Sequence, residues 1–321
     1  MTRASHPQLN AYYSERAALL SGLKLGALDT REARDLFDRY ASDDDIWTIP
    51  AQIRVDDRPR AGDVPVGVRV YCPERPTGTP LVWMHGGGFA QGDLDMLEAQ
   101  GVASELADRA NAVVVSVDYR LVSDTVRFPG PVDDVLDAWK WARDSLGLEA
   151  PALGGASAGA ALAVSAALRC RDQGQNVGAL LLAYPFLHFP NPAPSDELAR
   201  ALAELPDILR LSPEVVSWLV RGYVGSISGV PAEAFPGAAV LEGLPRTTLI
   251  AAEIDDLRPS AELFAAQLAE VGVPVATHTA PGAPHGFLNR VPSAPGVDNA
   301  LEVLAAALRQ QPSDLSQESS R

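Results

Sequence analysis

The chain has 321 residues, of which 47% are hydrophobic and 21% charged, and its formal net charge is -15. This composition is typical of an ordinary globular protein with one large core. The excess of acidic residues argues against nucleic acid and anionic membrane surfaces as partners.

Other features of the sequence narrow the class further. The chain has no apolar run of about 18 residues, so no membrane-spanning helix is expected. Residues 1–10 lack the basic and apolar pattern of a secretory signal, so a cytoplasmic location is expected. The two cysteines, Cys72 and Cys170, form neither a metal-ligand pattern nor a disulfide framework. We therefore expect neither a metal ion nor a cofactor.

Strand and helix patterns alternate along most of the chain. Short apolar or β-branched runs predict strands at residues 48–56, 64–72, 80–84, 112–117, 179–183, 247–252 and 275–279, with a weak candidate at 150–154. Helical patterns occupy residues 97–109, 132–145, 160–171, 260–271 and 299–310. The alternation predicts an α/β protein with a mostly parallel central sheet flanked by helices. In such sheets, ligands bind beyond the carboxyl ends of the strands.

Two segments fall outside this alternation and predict a helical cap over the carboxyl edge of the sheet. Residues 1–47 are helical and charged, with amphipathic stretches at 12–20 and 31–40. Residues 188–236 include a helical stretch at 214–223 and are too long for a simple connection. The predicted core then consists of residues 48–187 and 237–312. The polar tail, residues 313–321, is expected to be disordered.

The motif Gly155-Ala156-Ser157-Ala158-Gly159 fits the G-x-S-x-G elbow, which holds a nucleophilic serine between a strand and a helix. Such a serine needs a base and N–H donors for the developing oxyanion. The glycine-rich segment His85-Gly86-Gly87-Gly88-Phe89 follows a predicted strand and offers exposed backbone N–H groups. The N–H of Ala158 is a further donor. Neither phosphate-loop fingerprint, G-x-G-x-x-G or an ending in GK[ST], is present there.

The base is expected to be His285, in a loop just beyond the last predicted strand. The other four histidines lie elsewhere: His6, His85, His188 and His278 fall in the N-terminus, the glycine loop, the insertion and a strand. Three carboxylates, those of Glu253, Asp255 and Asp256, follow the strand at 247–252 and compete for the role of orienting acid. The chain order of serine, acid and histidine is that of α/β-hydrolases.

Together these motifs resemble those of the hormone-sensitive-lipase-like esterases, the bacterial family IV of the α/β-hydrolase superfamily. The resemblance spans residues 48–310 and includes Gly92-Asp93-Leu94-Asp95, Val117-Asp118-Tyr119-Arg120-Leu121, Phe128-Pro129, Tyr184-Pro185 and His285-Gly286-Phe287. It implies an α/β-hydrolase fold with a helical cap. It also implies a catalytic triad of Ser157, Asp255 and His285, with oxyanion donors at Gly86, Gly87 and Ala158.

The resemblance implies a serine carboxylesterase that cleaves short- to medium-chain or small-molecule esters through an acyl-enzyme. The alternatives are an amidase such as an arylformamidase, a natural-product deacetylase, and, more remotely, a ligand receptor or interaction protein on the same fold. Aromatic residues expected to line an apolar substrate pocket are Trp47, Phe89, Trp218 and Tyr223. Relatives also suggest a homodimer. The chain departs from the family pattern at Ala156, Val122-Ser123-Asp124 and Asp256-Leu257-Arg258-Pro259, so its substrate preference is not copied from relatives.

Overall fold

The computed structural model describes residues 7–23 and 30–309. These residues form an eight-stranded sheet in the order β1-β2-β4-β3-β5-β6-β7-β8. Strand β2 is antiparallel to both of its neighbours, and the strands from β4 to β8 run parallel. The strands are β1 Arg54–Arg58, β2 Gly67–Cys72, β3 Leu81–Met84, β4 Val114–Asp118, β5 Ala152–Ala156, β6 Leu180–Ala183, β7 Thr247–Ile254 and β8 Val275–Pro284.

Helices cover both faces of this sheet. The α-helices are α1 Ala11–Ala18, α2 Arg31–Ala41, α3 Val102–Arg109, α4 Gly130–Ser145, α5 Ala158–Asp172, α6 Asp196–Leu202, α7 Pro213–Val224, α8 Arg258–Glu270 and α9 Val297–Arg309. A π-helical turn occupies Leu97–Gly101, and 3₁₀ turns occupy Asp207–Leu209, Pro236–Ala238 and Phe287–Asn289. None of the helices within the described ranges is long and apolar enough to cross a membrane.

The alternation of side chains along the strands divides the core into two apolar layers. Val82 and Met84 of β3 pack in the layer that contains α4, α5 and α8. Leu81 and Trp83 point to the opposite face, where they pack in the layer that contains α3 and α9. Because successive strand residues face opposite sides of a sheet, an all-apolar strand such as β3 stabilises both layers at once.

The structure confirms the predicted fold class and refines several elements. The first strand, predicted at residues 48–56, was misplaced: β1 covers Arg54–Arg58 and is mostly exposed at the edge of the sheet. The predicted helix at 97–109 begins as a π-helical turn. The weak strand candidate at 150–154 corresponds to β5, Ala152–Ala156, which is fully buried between β3 and β6. Helix α6 was not predicted.

Both segments predicted as the cap contact the carboxyl end of the sheet. The N–H of Asn10, before α1, donates to the Gly282 carbonyl near the end of β8 at 2.9 Å. In the insertion, Leu198 and Leu202 of α6 pack against Ile254 at the end of β7. The division into cap and core at the stated boundaries stays a prediction. The predicted tail at 313–321 lies outside the described residues.

The layer between the sheet and α5 is expected to carry much of the stability. Leu162 of α5 is fully buried, so Leu162→Ala should lower the free energy of unfolding by about 2–5 kcal/mol through lost burial and a residual cavity. Leu263 of α8 is 40% exposed, and the matched change Leu263→Ala should cost less than about 1 kcal/mol. Urea unfolding monitored by circular dichroism measures both; equal losses would contradict this view of the core.

Candidate active site

Ser157 lies at the sharp turn between β5 and α5. Its backbone has φ +53° and ψ -117°, a conformation that costs free energy for any residue with a side chain. The Ser157 N–H donates to the Ala183 carbonyl at the end of β6, at 2.9 Å. This bond anchors the turn to the neighbouring strand, so the surrounding sheet holds the serine in its strained conformation.

The two glycines of the elbow are required by close packing. A Cβ atom on Gly155 would lie 2.5 Å from the Gly159 carbonyl carbon and 2.7 Å from the Met84 carbonyl oxygen. A Cβ atom on Gly159 would lie 2.3 Å from the Met84 oxygen and 2.4 Å from the His85 oxygen. Any side chain at either position would therefore separate the elbow from the end of β3.

Ser157, His285 and Asp255 form a continuous hydrogen-bonded chain. The distance from Ser157 Oγ to His285 Nε2 is 2.9 Å, and that from His285 Nδ1 to Asp255 Oδ2 is 2.8 Å. His285 directly follows β8, and Asp255 directly follows β7. The Asp255 carboxylate is 1% exposed and also accepts the Leu257 N–H at 2.8 Å. The three side chains that the sequence singled out thus meet at the carboxyl edge of the sheet.

The environment of His285 favours proton uptake. Burial lowers the pKa of His285, but the charge of Asp255 and its hydrogen bond outweigh burial, so the pKa lies above its ordinary value. In the neutral ring, Nδ1–H donates to Asp255, which leaves Nε2 free to accept the Ser157 proton. This arrangement is the one that a general base acting on the serine requires.

The two competing carboxylates point elsewhere. Asp256 accepts two hydrogen bonds from the Arg210 guanidinium, at 2.8 and 2.9 Å, and one from the Leu211 N–H. Glu253 accepts the Gly282 N–H at 2.6 Å. Of the three acidic side chains at this strand end, only Asp255 contacts His285 in the part of the chain that the structure describes.

Two of the other histidines are buried in contacts of their own. His188 lies 2.8 Å from Ser260 Oγ and 3.0 Å from Gln267 Oε1, and burial lowers its pKa. His85 stacks on Tyr119 with ring centroids 4.5 Å apart, and burial lowers its pKa as well. Burial thus disfavours the protonated form of both rings. His6 lies outside the described residues.

The glycine-rich loop is fixed by hydrogen bonds to its carbonyl groups. The Gly86 carbonyl oxygen lies 2.7 Å from His85 Nδ1 and 3.1 Å from the Tyr119 hydroxyl. Since C=O and N–H point in opposite directions across a trans peptide, the Gly87 N–H points away from these two groups. The Ala158 N–H, at the first residue of α5, has no partner within its own helix and remains available as a donor.

The N–H of Gly86, a predicted oxyanion donor, has a partner within the protein. Its N–H donates to the Glu98 carboxylate, with 2.6 Å between nitrogen and Oε2. A donor held by a buried carboxylate is not available to a substrate oxygen. An oxyanion role for Gly86 would require its N–H to leave Glu98, and that role stays a prediction; motif position says nothing of the partner that each N–H finds in the fold.

The sequence reasoning missed Glu98 and the groups around it. Glu98 lies in the π-helical turn and is 2% exposed. Its Oε1 accepts the Tyr184 hydroxyl at 2.5 Å and the Asn289 side-chain amide at 3.1 Å. The available signal was a single acidic residue among the buried small and apolar residues that begin the predicted helix at 97–109.

The four aromatic residues predicted to line a pocket lie in three different environments. Phe89 and Tyr223 stack face to face in the core, with ring centroids 3.8 Å apart. Trp47 donates its indole N–H to Glu105 at 2.9 Å. Trp218 is 65% exposed and lines a cavity of about 210 Å³ beside Gly88. A substrate-contacting role for the four stays a prediction, and Trp218 is the member that borders open space next to the glycine loop.

No metal site emerges from the described ranges. Within residues 7–23 and 30–309, no three or more histidine, cysteine, aspartate or glutamate side chains are grouped so that they could hold an ion.

Comparison with known proteins assigns the chain to a family. Residues 81–289 match the Abhydrolase_3 family, described as alpha/beta hydrolase fold. The chain belongs to this family, and the predicted likeness to hormone-sensitive-lipase-like esterases is confirmed.

Individual relatives support the same assignment. The chain is 33% identical over 258 residues to "Esterase LipI" of Mycobacterium tuberculosis, covering 76% of this chain and 78% of the relative. It is 31% identical to "Carboxylesterase NlhH" of the same species, covering 80% and 83%. Its fold is similar to that of a hyperthermophilic esterase from the archaeon Pyrobaculum calidifontis, with a TM-score of 0.75, 30% identity and coverage of 94% and 98%.

The packing at the elbow makes a testable prediction. Gly159→Ala forces a Cβ atom against two backbone oxygens, so it should lower the free energy of unfolding by about 1–3 kcal/mol and displace the serine. Gly222 lies in α7 with no atom within 4 Å of a Cβ position, and Gly222→Ala should stabilise the protein by up to about 1 kcal/mol. Melting temperatures and ester hydrolysis rates measure both. A fully active Gly159→Ala variant of unchanged stability would refute the packing argument.

Proposed function

We propose that this chain is a serine carboxylesterase in which Ser157 is the nucleophile, His285 the general base and Asp255 the orienting acid. The class, a carboxylic ester hydrolase, follows from the family and its esterase relatives. The observation that carries the assignment of roles is the hydrogen-bonded chain from Asp255 through His285 to Ser157, with links of 2.8 and 2.9 Å.

In the first half of the reaction, Ser157 Oγ attacks the ester carbonyl carbon while His285 Nε2 takes the serine proton. The resulting tetrahedral oxyanion accepts hydrogen bonds from backbone N–H groups. As the intermediate collapses, His285 gives its proton to the alcohol oxygen, the C–O bond breaks and an acyl-enzyme remains. In the second half, His285 deprotonates a water molecule, which attacks the acyl carbon and releases the carboxylic acid and Ser157.

The donors of the oxyanion site are Gly87 and Ala158 in this proposal. Gly87 is supported by the direction of its peptide, and Ala158 by its place at the start of α5. Loss of one such donor reduces the rate by about 10²–10³-fold in comparable sites. Because N–H groups fixed by the fold need no reorganisation as charge develops, these donors account for a large part of the rate enhancement.

The proposed substrates are esters of short to medium chains or of small molecules. The exposed Trp218 and the cavity beside Gly88 support an apolar binding region of modest size. An amidase or natural-product deacetylase would use the same three side chains, so hydrolysis rates of a matched ester and amide distinguish these functions. The placement of His285 beside Ser157 favours catalysis over a receptor role. A homodimer and a cytoplasmic location stay predictions.

The nucleophile is tested with a fluorophosphonate probe and short p-nitrophenyl esters. Ser157→Ala should fold like the wild type, fail to react with the probe and lose at least about 10⁴-fold in ester hydrolysis, because no other hydroxyl contacts His285 Nε2 in the described ranges. Ser165→Ala, a change of another buried serine about two turns along α5, should label normally. Near-wild-type hydrolysis by Ser157→Ala would exclude the proposed mechanism.

The orienting acid is tested by its pH profile. Asp255→Asn should reduce kcat by about 10³–10⁴-fold, because the neutral amide no longer favours the required tautomer. In the wild type, kcat/KM should fall as the pH drops through the raised pKa of His285. Asp255→Asn removes the charge that raises this pKa most, so the acidic limb should move to lower pH.

The neighbouring carboxylate provides the control for that experiment. Asp256→Asn removes a charge from the same strand end without touching the His285 hydrogen bond. It should therefore shift the acidic limb less and leave kcat within about threefold of the wild type. Equal losses in the two variants would reject Asp255 as the orienting acid.

A further inference from the structure

Glu98 is a buried carboxylate whose hydrogen bonds all come from uncharged donors. Its Oε2 accepts the Gly86 N–H at 2.6 Å, and its Oε1 accepts the Tyr184 hydroxyl at 2.5 Å and the Asn289 amide at 3.1 Å. The side chain is 2% exposed. Because the Gly86 N–H and the amide are donors only, each of the two carboxylate oxygens accepts at least one hydrogen bond.

The three partners of Glu98 surround the reacting groups. Gly86 immediately precedes Gly87, and a Cβ atom on Gly86 would lie 3.2 Å from the Cβ atom of Ser157. Tyr184 follows β6, and its ring meets the His285 ring edge-on, with centroids 5.0 Å apart. Asn289 lies four residues beyond His285. One carboxylate thus joins the oxyanion loop to the side of the site that carries the base.

The backbone of Glu98 is fixed as firmly as its side chain. The Trp83 indole N–H donates to the Glu98 carbonyl at 2.8 Å, from a fully buried strand residue. Glu98 also lies in the π-helical turn Leu97–Gly101, and such turns are frequent at functional sites. These constraints hold the carboxylate at a defined distance from β3, the strand that leads into the glycine-rich loop.

Burying a carboxylate is expensive, and hydrogen bonds from neutral donors offset the cost only when they are complete. A neutral acceptor would satisfy a single backbone N–H at a lower cost. What the carboxylate adds is simultaneous, charge-assisted acceptance from three separate segments, which makes each bond shorter and stronger. This favours a role in holding those segments together.

We propose that Glu98 is a positioning residue for ester hydrolysis: its carboxylate holds Gly86 so that the Gly87 N–H stays aligned with the oxyanion formed at Ser157. The inference rests on the proposed function, because it concerns the oxyanion site of that reaction. Glu98 touches neither the substrate nor the nucleophile and acts through the loop.

The test compares Glu98→Ala and Glu98→Gln with Glu105→Gln, a change of a partly buried carboxylate on the same helical segment that binds Trp47 and Arg109 instead. Three quantities are measured: kcat and KM for p-nitrophenyl butyrate, and the inhibition constant of an alkyl trifluoromethyl ketone. The ketone forms a hemiketal with an active serine, so its oxyanion reports on the alignment of the donors.

Glu98→Ala should lower kcat by about 10–100-fold and leave KM within about threefold of the wild type. It should raise the inhibition constant of the ketone by the factor by which kcat/KM falls. Glu98→Gln should recover kcat to within about fivefold of the wild type. Its amide oxygen still accepts the Gly86 N–H and the Tyr184 hydroxyl accepts from the amide nitrogen, so only the bond from the Asn289 amide is lost. Glu105→Gln should match the wild type in all three quantities.

Several outcomes would overturn the inference. One is a folded Glu98→Ala variant whose kcat is within threefold of the wild type. Others are an effect of Glu98→Ala on KM alone, or an unchanged affinity of this variant for the ketone. The last is a Glu98→Gln variant with as large a loss of kcat as Glu98→Ala. If Glu98→Ala does not fold, Tyr184→Phe removes one anchor of the carboxylate without opening a large cavity. Its kcat should fall about 3–10-fold at unchanged KM, and an unchanged kcat would equally reject the proposal.

The wild type separates failure of this inference from failure of the proposed function. A wild-type protein that neither hydrolyses the ester nor reacts with a fluorophosphonate overturns both. If the wild type hydrolyses the ester and reacts with the fluorophosphonate, and Glu98→Ala is as active as the wild type, only the role of Glu98 is overturned.

Discussion

The close approach between the end of β3 and the turn at Gly155 and Gly159 is the constraint on which this site depends. No Cβ atom fits at either glycine without meeting the backbone at Met84. The contact places the serine and the oxyanion loop, which are far apart in the chain, side by side at one junction of the sheet. Ser157, in the same turn, has a positive φ. The same few backbone atoms thus determine both the packing of the turn against β3 and the position of Ser157.

Two buried carboxylates near that junction accept hydrogen bonds from different groups. Asp255 accepts from the His285 ring, and Glu98 accepts from backbone and neutral side chains. Both raise the pKa of His285 against the opposing effect of burial, and Asp255 has the larger influence. In the proposed mechanism, negative charge near the site favours the imidazolium that forms during attack, but it opposes the oxyanion. The proposed N–H donors would offset that repulsion, so in this mechanism the alignment of the loop that carries Gly87 matters as much as the basicity of the histidine.

The sequence was sufficient to predict the sheet and the three side chains that meet at its edge, because every one of them follows a strand directly. It could not choose Asp255 over Asp256 on local grounds. In the fold, Arg210 comes from the insertion and binds Asp256, a contact between residues 46 positions apart. Nor could the sequence show that the Gly86 N–H is bound by Glu98, which lies 12 positions away in a separate turn. The residues of β5 have low strand propensity, so the sequence predicted this strand only weakly. Small residues are needed there because the neighbouring strands are close: a Cβ atom on Gly154 would lie 2.8 Å from the Leu181 carbonyl oxygen.

Helix α7 of the insertion packs directly against the glycine-rich loop. Tyr223 of α7 stacks on Phe89, the residue that ends the glycine-rich loop, and Leu219 of α7 occupies the space beside Gly88, where a Cβ atom would lie 2.6 Å from its Cδ2 atom. Helix α7 therefore packs against Gly88 and Phe89 of the loop, while Glu98 binds the loop through Gly86. In the proposed function, Trp218 contacts the substrate, and the contacts of α7 connect it with the loop that carries the proposed N–H donors. The proposed substrate region and the proposed oxyanion site therefore share helix α7 as a structural support.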